Sequence, residues 1–123
     1  MISLLEEIIA GLNESTGLQC YSEMPDGSFK LPMIIITERT NEVNSLALNG
    51  SIQSVKLVYE IQIYSNDIED IFELQEFVDS YFRENLKLFR RSASNIQQRH
   101  PLYYRTMTFT GFVRADENNL YIL

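Results

Sequence analysis

The sequence predicts an α+β domain: an antiparallel sheet with two helices packed on one face, in the order α-β-β-α-β-β. Three observations carry that expectation. "SVKLVYEIQIY", from Ser54 to Tyr64, alternates apolar and polar residues with the period of a half-buried strand. "DIEDIFELQEFVDSYF", which follows it, repeats its apolar residues at three- and four-residue spacing, as an amphipathic helix does. "MIIITERT" before and "YYRTMTFTGFV" after are two further runs rich in β-branched and aromatic residues. With 123 residues, 45% of them hydrophobic, residues 1–123 form a single domain able to bury a core without disulfides or metals.

From the amino terminus, Ile2, Leu5, Ile9 and Leu12 share one stripe of a helix expected from about Ile2 to Asn13, with Gly17 and the polar "NESTG" ending it. The connector "LQCYSEMPDGSFKLP" carries a Pro25-Asp26-Gly27 turn signal and has room for a short edge strand at Gln19 to Tyr21. Met33 to Thr40 is too densely β-branched for a surface strand, so it belongs centrally, with both faces partly covered. In the next strand Val55, Leu57, Tyr59, Ile61 and Ile63 point one way and Lys56, Glu60 and Gln62 the other. These two strands are expected to pair as a long antiparallel hairpin.

Asn66 is expected to cap the second helix, with Glu69 completing a pattern like a capping box. That helix is expected to reach about Phe89, with Ile68, Ile71, Gln75, Val78 and Phe82, joined by Phe72, Leu74 and Tyr81, on its apolar stripe. Asp79 and Arg83 are spaced for a surface ion pair. "RRSASNIQQRHP" has room for a short strand at Ser94 to Gln97. Tyr103, Met107, Phe109 and Val113 then alternate with Tyr104, Thr106, Thr108 and Thr110, and "RADENN" turns the chain into a last strand, "LYIL".

The chain lacks the parts of an enzyme. His100 sits between Arg99 and Pro101 in a polar stretch with no nucleophile elbow, and Cys20 is the single cysteine. The glycines are scattered singly, so no loop can cradle a phosphate. The acidic set Asp67, Glu69, Asp70, Glu73, Glu76 and Asp79 faces away from the apolar stripe, as a solvated helix face does. The expectation is therefore no catalysis, no cofactor and no metal. A net charge of −7 argues against tight nucleic-acid binding, and the basic group Arg83, Lys87, Arg90 and Arg91 is read as complementing a helix carboxyl end. "MISLLEEIIAGLNE" carries Glu6 and Glu7 where a secretion signal needs basic residues and is too short to span a bilayer, so a soluble, cytoplasmic chain without a membrane partner is expected.

"NEVNSLALNG", Asn41 to Gly50, is longer than a hairpin connection needs. Its apolar residues among asparagines make Val43, Leu46, Leu48 and Asn49 the candidate partner interface.

The ordering of an amino-terminal helix, "LPMIIIT", "VYEIQIYSNDIEDIFELQEFV" and "YYRTMTFTGFVRADENNLY" resembles the tail-completion and tail-terminator proteins of siphophages, which join head to tail. The positions that carry the resemblance are Pro32 to Ile35, Ile61 to Ser65, and Tyr104, Arg105 and Phe109. It implies a non-enzymatic assembly protein, placed in the virion at the head–tail interface after assembly in the host cytoplasm. Its implied partners are further copies of itself in a ring, typically hexameric, together with the tail-tube protein and the head connector, with DNA passing through. Another head–tail neck component, or a protein-binding module unrelated to phages, is the alternative.

Overall fold

The computed structural model describes residues 4–27, 30–46, 48, 52–86, 88–99, 101–116 and 119–122. Helix α1, Leu5–Thr16, is built on a four-residue spacing that sends Ile8 and Leu12 into the core behind Leu4. The buried stripe is thus centred on Leu4, Ile8 and Leu12. Leu5 and Ile9, expected at its centre, pack at its margin, and Ile2 lies outside the described residues. The helix runs past the expected Asn13 to Thr16 and stops at Gly17, the expected terminator, whose φ of 73° is left-handed and whose N–H donates to the Asn13 carbonyl. Glycine takes that conformation without a steric cost.

The Asn13 side-chain oxygen accepts the Cys20 N–H at 2.7 Å, tying strand β1, Cys20–Tyr21, to the last turn of the helix. β1 pairs in parallel with β2, Met33–Leu46, through Cys20 opposite Ile34 and Tyr21 opposite Ile35. The sheet is therefore mixed, though mostly antiparallel: the connector carries the chain back to the end of the sheet where β1 began. Met33, Ile34, Ile35 and Ile36 are all buried, as a strand covered on both faces requires.

β2 pairs antiparallel with β3, Ile52–Ser65, in the expected long hairpin. The alternation of β3 holds: Val55, Leu57, Tyr59, Ile61 and Ile63 are buried, while Lys56, Glu60 and Gln62 are half-exposed on the other face. The segment expected to be a loop from Asn41 is strand as far as Leu46. Register shifts at Glu38/Thr40, Val43/Ser45 and Ser45/Leu46 break its alternation, which is why the pattern did not read as a strand.

Helix α2, Ile68–Tyr81, is capped by Asp67, one residue later than expected. The Asp67 carboxylate accepts the Glu69 N–H at 3.0 Å. Buried Ser65 accepts the Asp67 N–H and donates to Asp70. Ile71, Leu74 and Val78 are buried, but Phe72, assigned to the same stripe, is 44% exposed. The helix stops short of Phe89. A π turn over Phe82–Leu86 widens the last winding and leads into strand β4, Phe89–Ala93. The wide turn leaves Phe82 stacked on Phe109, ring centroids 4.3 Å apart, and lets Leu86 and Leu88 enter the core as well.

β4 and β5, Gln97–Arg99, both lie antiparallel along β6, Leu102–Asp116, with Ser94 to Ile96 as a break where a strand was expected. β6 also pairs with β3 from Tyr103 to Arg114, and β7, Asn119–Ile122, folds back on its far end. The order across the sheet is β1-β2-β3-β6-β4. Leu4, Ile8 and Leu12 of the first helical segment join Ile71, Leu74 and Val78 of the second over Ile34, Ile36, Ile61, Ile63, Met107 and Phe109. Both helices therefore lie on one face, as the α+β expectation had it.

Candidate functional site

Strands β2 and β3 each have 14 residues, and at ~3.3 Å per residue such a strand is about 46 Å long. Helices of 12 and 14 residues reach only about 18–21 Å at 1.5 Å per residue. α2 starts just past the Ser65 end of β3, and each strand of the hairpin is about twice the length of either helix; the core still takes in Leu57 and Val55 of β3. β6 and β7 back this arm on the β3 side.

Leu46 closes β2 at 57% exposure, and Leu48, in the connection beyond it, is fully exposed at 111%. Val43 stands opposite Val55 in the hairpin register. Three of the four sequence-nominated residues are therefore brought to one arm, while Asn49 lies outside the described residues. Phe112 is a member that the sequence reading passed over: it is 37% exposed and pairs with Lys56 on the face away from the helices. The signal was present, since Phe112 follows the outward phase of Thr106, Thr108 and Thr110.

The base of the arm is clamped on both faces. On the core face the buried Tyr59 hydroxyl accepts the Leu4 N–H at 3.0 Å and donates to Glu38 Oε1 at 2.8 Å. Asn41 Nδ2 donates to the same carboxylate. Across the sheet Arg39, at the bulge, pairs with Glu60; that hydrogen bond, reinforced by the charge, raises the Arg39 pKa. The Tyr59 node ties the hairpin to the start of α1 and the Arg39–Glu60 pair joins its two strands, while Leu46 and Leu48 stand exposed beyond them.

Elsewhere the chemistry is sparse. Cys20 is buried, and burial pushes its thiol up to about 11, so it stays protonated and unreactive near neutrality. His100 lies outside the described residues. The acidic residues of α2 are spread over an open helix surface; among the described residues no group of His, Cys, Asp and Glu is arranged to hold a metal ion. No described helix is long and apolar enough to cross a membrane. A cleft of about 470 Å³ beside β1 offers Lys30 and Tyr21, but among its described lining residues no nucleophile is paired with a base. Arg83 and Asp79 form the expected ion pair at 3.1 Å. Arg90 and Arg91, expected to complement a helix end, lie instead on the exposed strand β4, because the helix stops sooner.

No protein-family description and no curated protein matches this chain.

Proposed function

We propose that this chain is a non-enzymatic assembly subunit that caps a phage tail tube and joins it to the head connector as a ring of identical copies. The observation that carries the reading is the long hairpin, at whose end Leu46 and Leu48 stand exposed to solvent. A lone domain gains nothing from projecting two leucines into water, whereas a subunit gains an anchor for its neighbour or for the tube. The sequence resemblance to siphophage tail-completion proteins supplies the particular assembly, and the net charge of −7 suits a passage through which DNA slides without sticking.

The test is a binding comparison with the full chain against polymerised tail tubes and against portal complexes. The proposal expects retention on tubes. Binding to portal complexes alone would assign the chain to another neck component.

A further inference from the structure

Two exposed surfaces of opposite charge lie on different sides of the fold. The first is the free edge formed by β4 and β5, whose residues from Phe89 to Ala93 and from Gln97 to Arg99 are all exposed. Between Phe89 and Arg99 the sequence has Arg90, Arg91 and Arg99 and no acid, in a chain whose net charge is −7. None of the three forms an ion pair with a described residue. Phe89 adds an aromatic ring at 52% exposure.

The second surface is the outer side of α2. Between Asp67 and Asp79 the sequence has no base, and Glu69, Glu73 and Glu76 stand exposed along the helix. Phe72 and Phe77 flank that strip, both well exposed. Each surface thus joins solvent-facing aromatic groups to one sign of charge, and the signs are opposite.

We infer that the basic β4–β5 edge of one copy docks on the acidic outer side of α2 of the next copy, making the head-to-tail contact of the ring. This rests on the ring reading above. The occupant follows from charge: a second copy brings the complementary strip with it, and an acidic chain gains long-range steering toward its own basic edge. One surface looks outward from the helical layer and the other sideways from the sheet. Copies joined through them are related by a rotation and leave one free copy of each surface at the ends until the ring closes.

The test is a charge swap in the full chain, read by sedimentation velocity at low salt with thermal melting as the check on folding. Arg90→Glu with Arg91→Glu should weaken self-association by about tenfold or more, and Glu73→Arg with Glu76→Arg by a similar factor. Mixing the two variants should restore assembly, because each variant keeps the wild-type surface the other needs and the two changed surfaces complement one another. Added salt should weaken the wild-type assembly. Should a reversed-charge variant fail to fold, the Arg→Gln and Glu→Gln pairs carry the same test through loss alone. Assembly that persists unaltered in both variants, or a mixture that stays dissociated, overturns the docking surface and leaves the ring reading standing. A wild-type chain that neither self-associates nor caps tubes overturns both.

Discussion

Gly11 of α1 faces the Tyr81 ring at the end of α2, and a methyl group built there would come within 1.9 Å of the Tyr81 hydroxyl. Tyr81 is held across that gap, its ring edge-on to Phe82 and its hydroxyl donating to the Glu7 carbonyl. Gly11→Ala therefore sets two effects against each other. Helix propensity favours alanine by about 1 kcal/mol, while overpacking costs about 1–3 kcal/mol. The account predicts net destabilisation in the wild-type background and a reversal of sign once Tyr81→Ala removes the ring. A double-mutant cycle in denaturant measures both.

Cys20 makes a second prediction at this scale. Its thiol is pushed up from 9.0 to about 11 by burial, and burial also raises the Tyr64 and Tyr81 phenols. As pH rises through 9, the unfolded chain loses the thiol proton that the folded chain keeps, so the unfolded state binds fewer protons and stability falls. The contribution is present in full below pH 9 and is lost as pH climbs through about 11. Denaturation midpoints measured from neutrality to pH 11 should decline, and Cys20→Ala should make the decline shallower.

At the scale of elements, β3, β6 and the first half of β2 were legible in the sequence, and the more bulged second half of β2 was not. β3 keeps Val55, Leu57, Tyr59, Ile61 and Ile63 inward at every second position, with Val58 buried on the other face as well. β6 keeps Met107 and Phe109 inward, so the faces were assigned correctly at Tyr59, Ile61, Met107 and Phe109. β2 loses that period at its three register shifts, so Asn41 to Leu46 looked like a loop although it continues the hairpin. The end of α2 was misjudged for a related reason. Leu86 and Leu88 continue an apolar pattern that suits a helix, but the π turn lets the chain leave the helix while keeping both buried. The exposed leucines were visible as apolar residues without a core to enter; the hydrogen-bond node at the base of the hairpin was not, because Tyr59, Glu38 and Leu4 are far apart in sequence.

That base lets the tip be changed without disturbing the fold. Replacing Leu46 and Leu48 together by serine removes exposed apolar groups only, so the melting temperature should hardly move. Ring formation or tube capping should weaken if these leucines are the anchors. A double variant that assembles and caps normally would reduce the arm to a connection.

At the scale of the whole molecule, an α+β core supports three exposed features outside it: the hairpin end with Leu46 and Leu48, the basic edge of β4 and β5, and the acidic outer side of α2. Such a distribution suits a subunit whose neighbours complete it. The exposed leucines and the two charged surfaces would gain contacts together on assembly, so a closed ring should be the state in which the chain meets a tube. Electron microscopy of tail tubes polymerised with and without the purified full chain measures this most directly. The account predicts uniform rings seated at one end of each tube and tubes that stop growing where a ring is bound. Tubes of unrestricted length with bare ends, in the presence of excess chain, would contradict it.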